Sequence, residues 1–303
     1  MIEVTQNQEL KIPYDISLSL KREDLIHPYI SGNKYRKLKY NIAFAKANNY
    51  KTLLTFGGAY SNHIAATAVA GMTYDFHTIG IIRGEELAIN LEKTLGENKT
   101  LAKAVDCGMK LKFISRESYK QKEEAFFLDA LKKEYPDAYI LPEGGTNDLA
   151  IKGCEEILTP SDLLFDYICC AVGTGGTISG IINASGPSQK ILGFPALKGD
   201  FLKAEIQELT TKPHWELQQE YHFGGYAKVT EELVNFINEF KKTYHILLDP
   251  IYTGKMMYGV FDLISKGYFP QNSRILAIHT GGLQGVAGIN KRLEKKRLQT
   301  IAI

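Results

Sequence analysis

The 303-residue chain has little of what marks the specialised protein classes. It has no excess of one charge: 36 Lys and Arg stand against 34 Asp and Glu, a formal net charge of +2, and neither sign forms a block long enough to resemble a tail. A dedicated nucleic-acid binder shows a concentrated basic face, so no nucleic-acid partner is expected. No apolar stretch approaches the ~18 residues that a membrane-spanning helix needs. Cysteine is scarce. Cys107, Cys154, Cys169 and Cys170 show no C-x-x-C spacing, and the adjacent pair lies in an apolar run where buried thiols are common, so neither structural zinc nor a disulfide scaffold is expected. The opening residues Met1 to Gln8 have neither a basic n-region nor an apolar h-region, and the expected address is the cytoplasm. Internal repeats, low-complexity tracts and a Pro/Gly/Ser linker are also missing.

What is there is a globular composition, 44% hydrophobic and 23% charged. The length fits two domains or one large α/β unit, and without a linker any second domain must be interwoven with the first. Short β-branched runs alternate with longer helical patterns, the signature of βα units around a mostly parallel sheet. Strands are expected near Thr52–Phe56, Thr78–Ile82, Lys110–Ile114, Ala138–Leu141, Asp166–Val172, Lys190–Phe194, His245–Leu248 and Ser273–Ile278. One helix is expected over Ser118–Tyr135, stopped by Pro136. Another begins just after Gly32, with Tyr35, Leu38, Ile42 and Ala45 forming its apolar stripe and Lys37 and Lys39 off it.

Five glycine-rich or polar loops punctuate this pattern: Ser31–Lys34, Gly57–His63, Glu143–Asn147, Gly173–Thr177 and His279–Gly282. Ligands in open α/β sheets sit beyond the carboxyl ends of strands, so these loops are expected to converge on one small-molecule crevice. Gly173-Thr174-Gly175-Gly176-Thr177 follows an apolar strand and opens a helix. Its free N–H groups suit an anion, and it reads as a cradle for a lone phosphate. It is not a dinucleotide fingerprint, because Ile178 stands where the third glycine would be, and no Gly-Lys-Ser/Thr occurs for a P-loop. A plain strand-to-helix turn is the simpler alternative.

Ser31-Gly32-Asn33-Lys34 fits S-x-x-K, which would suit a serine acyl-transferase or hydrolase, but the accompanying S-D-N and K-T-G are missing. Lys34 also sits at a helix start, where the positive end of the helix favours a neutral, nucleophilic amine. Ser61 and Asn62 would serve either as helix caps or as catalytic groups. Tyr252 would serve as a core aromatic or a site residue, and His63 as a surface residue or a support to the site.

Together, Lys21–Asp24, Ser31–Leu38, Gly57–His63, Pro142–Gly145, Gly173–Thr177 and Leu248–Lys255 resemble the pyridoxal-phosphate enzymes that include D-cysteine desulfhydrase and 1-aminocyclopropane-1-carboxylate deaminase. The resemblance runs in order from about residue 20 to residue 285. It implies a tryptophan-synthase β-like fold (fold type II): two interwoven three-layer α/β/α lobes with mostly parallel sheets. Residues 1–36 and 146–303 would form the large cofactor-binding lobe and 37–145 the inserted small one. It implies pyridoxal 5'-phosphate carried covalently by Lys34, with Gly173, Thr174, Gly175, Gly176 and Thr177 on its phosphate and Asn62 on its phenolic oxygen. Ser61 would lie beside the substrate carboxylate and Cα. His63, Tyr226 and Tyr252 would complete the substrate side, and the protein would be a homodimer.

In the deaminases the residue after the motif tyrosine resembles a glutamate that bonds the pyridine nitrogen; here it is Thr253. A carboxylate would keep that nitrogen protonated and the ring a strong electron sink, whereas a hydroxyl would not. Opening a cyclopropane needs the strong sink, and expelling thiolate needs less. The expected activity is therefore β-elimination from a small amino acid, D-cysteine to pyruvate, ammonia and hydrogen sulfide, with cyclopropane deamination and a cofactor-free binding protein as alternatives. Tyr60 stands where the family usually has glutamine, and Tyr226 matches the second site tyrosine only loosely.

Overall fold

The computed structural model describes residues 3–210 and 212–303; Met1, Ile2 and Thr211 lie outside the described residues. Its strands are β1 (Asn7–Leu10), β2 (Ser17–Lys21), β3 (Thr52–Gly58), β4 (His77–Arg83), β5 (Met109–Ile114), β6 (Ala138–Leu141), β7 (Tyr167–Val172), β8 (Lys190–Pro195), β9 (Trp215–Leu217) and β10 (Arg274–Ile278). They form a six-stranded sheet in the order β1-β2-β10-β7-β8-β9 and a four-stranded sheet in the order β5-β4-β3-β6. Every pairing is parallel except β1 with β2. Both sheets are covered on both faces, which is why β3 and β7 read as continuous apolar runs rather than alternating ones.

On one face of the larger sheet, the helices Glu231–Tyr244, Thr253–Ser265 and Gly285–Lys295 bury Ile237, Val260 and Ile289 in a common core. On the other, Ile178, Ile182 and Ile206 come from the helices Gly176–Ala184 and Phe201–Leu209. The four-stranded sheet repeats the arrangement, with Leu38, Ile64 and Leu101 on one side and Tyr119 and Leu131 on the other.

Several expectations change. The four-stranded sheet lies within residues 52–141, between β2 and β7, as an insertion, but the boundary expected at residue 36 falls inside the unbroken helix Asn33–Ala47. Leu38, Ile42 and Ala45 tie that helix to the smaller sheet. No strand forms over His245–Leu248. Both edges of β10 are taken, by β2 and β7, and the Leu247 carbonyl accepts instead from the His279 imidazole at 2.8 Å. Ile246 and Leu248 are nevertheless buried, so the apolar pattern was real and the pairing was not. The helix expected over Ser118–Tyr135 is two, Arg116–Lys120 and Ala125–Glu134. Lys122 turns inward between them, 3.2 Å from Glu143 and over the Tyr119 ring. Strands β1, β2 and β9 are additions that short polar sequences did not announce. No helix among the described residues is long and apolar enough to cross a membrane.

Candidate active site

A cavity of about 500 Å³ lies at the carboxyl ends of β3, β4, β6, β7 and β10, and all five expected loops contribute to its wall. Only Ser31–Lys34 is not a strand-end loop; it follows the short turn Glu23–Leu25. What brings that loop in is Gly32. Its φ is +61°, and a Cβ there would sit 1.9 Å from the Thr280 carbonyl oxygen, so the backbones of the first and last loops touch only because this residue has no side chain. The Asn33 N–H donates to the same carbonyl at 3.2 Å.

Lys34 and Lys37, one helical turn apart, both project into the cavity and both donate to the Gly144 carbonyl, at 3.1 and 3.0 Å. Lys37 was expected off the buried stripe, but it is 2% exposed and also reaches the Thr146 and Thr174 hydroxyls, at 3.0 and 3.5 Å. Its spacing of three from Lys34 is the signal that places both on one helix face. Burial, and then the Lys37 charge, hold the Lys34 amine well below the usual lysine range.

Gly173, Thr174, Gly175 and Thr177 line the cavity opposite these lysines. Gly175, at φ +74°, caps the helix Gly176–Ala184, whose first-turn residues Thr177 and Ile178 line the cavity. The Thr177 hydroxyl is oriented by Asn33 Nδ2 at 2.8 Å. Gly176 is not a lining residue; a Cβ there would meet the Thr146 side chain and the Lys37 amine. The helix start, the hydroxyls and the buried Lys37 amine could together hold a phosphate group.

Ser61 is both a cap and a cavity residue: its hydroxyl accepts from Ile64 N at 3.3 Å at the start of the helix Asn62–Tyr74. Asn62 and His63 also line the cavity, and Asn62 Oδ1 and both His63 ring nitrogens are buried without a hydrogen-bond partner. Burial, with the charges of Lys34 and Lys37, pushes the His63 imidazole well below its ordinary range, so it is neutral. Orphaned polar atoms in a polar cavity call for a ligand. Across from them stand Tyr252 and Tyr226, ring centroids 6.3 Å apart at 64°. Burial raises both phenols above the usual tyrosine value, so both keep their protons.

Two more expected residues, like Gly176, do not line the cavity. Thr253 is fully buried, and its hydroxyl accepts from Asp249 N at 2.9 Å. The helix starts at Thr253, with Tyr252 as its cap, so successive side chains there diverge by about 100° and only the tyrosine faces inward. At the carboxyl end of β10, Thr280 does line the cavity. Ser31 donates to the Asp24 carbonyl at 3.4 Å and is not a lining residue, which leaves the S-x-x-K pair without a cavity-facing nucleophile.

Residues 4–281 match the PALP family of pyridoxal-phosphate dependent enzymes. The chain belongs to this family. To such a cofactor the cavity offers a buried lysine amine, a glycine-rich loop and buried polar atoms without partners. Over 302 residues the chain is 32% identical to a bifunctional D-cysteine desulfhydrase/1-aminocyclopropane-1-carboxylate deaminase of Arabidopsis thaliana, covering 91% of this chain and 74% of the relative. It is similar to a solved 1-aminocyclopropane-1-carboxylate deaminase homologue, with a TM-score of 0.80 and 27% identity over 97% of this chain and 95% of the other. A hydrogen sulfide-producing enzyme of Fusobacterium nucleatum shares the fold, with a TM-score of 0.67 and 15% identity over 93% and 97% of the two chains.

Proposed function

We propose that this chain is a lyase that uses pyridoxal phosphate to eliminate the β-substituent of a small amino acid, converting D-cysteine and water to pyruvate, ammonia and hydrogen sulfide. The observation that carries this choice is the charge of the cavity. Glu143 is the only carboxylate among the described residues that line it, and Glu143 is occupied by the Tyr119 hydroxyl at 2.7 Å and by Lys122. Such a cavity offers a bound pyridine ring no free acid to hold its nitrogen protonated. Thr280 supplies a neutral hydroxyl instead. A thiolate that carries its own electrons away suits this site better than the opening of a cyclopropane.

When bound, pyridoxal phosphate supplies an aldehyde that captures amines and an electron sink that acidifies the Cα proton. The Gly173–Thr177 loop and Lys37 would hold its phosphate, and Asn62 would hydrogen-bond its phenolic oxygen. Lys34, whose basicity burial lowers, would hold the group through its side-chain nitrogen and would take the Cα proton of the substrate. Ser61 and the N-terminus of the helix Asn62–Tyr74 attract the substrate carboxylate. The protonated phenols of Tyr252 and Tyr226 face the side chain of the substrate and donate to the departing sulfur.

Cyclopropane deamination is the second reading, favoured by the names of the Arabidopsis thaliana relative and the solved deaminase homologue. The test is the visible spectrum of the purified protein before and after D-cysteine, L-cysteine, D-serine and 1-aminocyclopropane-1-carboxylate, with 2-oxo acid release measured alongside. Release from D-cysteine and none from the cyclopropane substrate is expected. Appreciable turnover of the latter selects the second reading, and a colourless protein that gains no absorbance with added cofactor overturns both.

A further inference from the structure

The loop that carries Tyr226 holds its shape against its own backbone preferences. Phe223, Gly224, Gly225 and Ala227 have φ of 52°, 86°, 112° and 55°, and two of these are side-chain-bearing residues in the left-handed region, each costing free energy that the surroundings must offset. This run turns the His222 and Gly225 carbonyls toward the helix Thr253–Ser265. Both carbonyls accept from Lys255 Nζ, each at 2.8 Å. Lys255 is 1% exposed and does not line the cavity, so its ammonium has no direct part in the chemistry described above. Burying an ammonium is expensive, and a methionine would fill the same volume at lower cost.

We infer that Lys255 is a positioning residue, a latch that fixes the His222–Ala227 loop and so holds the Tyr226 phenol against Tyr252. A second buried group holds the other tyrosine. Asp249, buried behind Gly282, accepts from the Ile251 and Tyr252 N–H groups at 3.0 and 2.5 Å and thereby sets the turn that presents Tyr252. Burial lowers the Lys255 amine to about 8, and the charge of Asp249 offsets part of that. One phenol rests on the Asp249 carboxyl and the other on the Lys255 amine, so two buried groups outside the cavity set their mutual geometry. That the two phenols act on the substrate rests on the function proposed above; that Lys255 orders the loop does not.

The test separates the two. Hydrogen exchange followed by mass spectrometry on the protein as purified should show peptides spanning 219–228 protected, and about tenfold or more faster exchange there in Lys255→Met, with other segments unchanged. With D-cysteine, Lys255→Met should raise KM several-fold. The same substitution in a Tyr226→Phe background should add little, because the latch acts through that phenol. A residue that only contributes to stability would instead lower the melting temperature and act independently of Tyr226. If Lys255→Met does not fold, Lys255→Gln, which keeps one N–H toward the carbonyls, is measured in its place. Unchanged exchange at 219–228 in either folded variant, or rapid exchange there in the unmutated protein, overturns the latch. If the exchange changes and D-cysteine is not turned over, it is the substrate assignment that fails.

Discussion

Replacing Lys34 by alanine removes the covalent anchor and the base together, so the long-wavelength cofactor absorbance should disappear and turnover should fall by orders of magnitude. Borohydride treatment of the unmutated protein, followed by peptide mapping, should fix the cofactor to the peptide bearing Lys34. Thr253 makes a contrasting case. Because its hydroxyl serves Asp249 N inside the core, Thr253→Val should cost about 1 to 3 kcal/mol of stability by leaving a buried N–H unpaired, while kcat per folded molecule stays near the unmutated value. A changed absorbance spectrum with undiminished stability would return Thr253 to the cofactor. Asp249 supplies a pH test. Burial lifts its carboxyl to about 7, so the folded protein keeps a proton that the unfolded chain releases between about pH 4 and 7. Its contribution to stability therefore falls as pH rises through that window and levels off above it. Denaturant melts at pH 5 and pH 7.5 should show the unmutated protein losing about 2 to 3 kcal/mol relative to Asp249→Asn over that interval.

At the scale of single elements, the phosphate cradle is a property of backbone. Thr177 contributes one hydroxyl, already engaged by Asn33, so Thr177→Ala should weaken cofactor binding by only about 1 to 2 kcal/mol. Gly175→Val asks a β-branched residue to adopt φ +74° with its Cβ 3.2 Å from Ile206 Cγ1, and it should weaken binding far more. Equilibrium titration of the two apoproteins with pyridoxal phosphate compares them directly; equal losses would contradict a backbone cradle.

For the molecule as a whole, the cavity exists because two sheets meet end to end. Asn33, Lys34 and Lys37 lie on a helix that packs into the core of the smaller sheet yet starts at the Thr280 loop of the larger one. Gly32→Ala would place a methyl group 1.9 Å from the Thr280 carbonyl oxygen. It should disturb the junction before it disturbs either core, read as loss of cofactor binding with most secondary structure retained by circular dichroism. Outright unfolding would show instead that the lobes do not hold their structure separately.

The sequence by itself determined what local physics controls. Buried parallel strands such as β3 and β7 must be apolar runs, glycines must mark the turns where backbone approaches backbone, and Gly173–Thr177 after a strand must present N–H groups at a helix start. Those signals, together with the resemblance to a known enzyme family, brought Lys34, Ser61, Asn62, His63, Tyr226 and Tyr252 to one list of candidates, and the structure brings them to one cavity. What tertiary structure decided was direction. Lys37 looked like a solvated lysine until the Glu143–Gly145 loop closed over it, and Thr253 looked like a cavity residue until the helix start rotated it into the core. His245–Leu248 carried a strand's apolar run, but β2 and β7 already take both edges of β10. A residue's chemistry is written in its own side chain, but the side that chemistry faces depends on helix phase, strand order and loops far away in the chain, and those are fixed only when the two sheets pack.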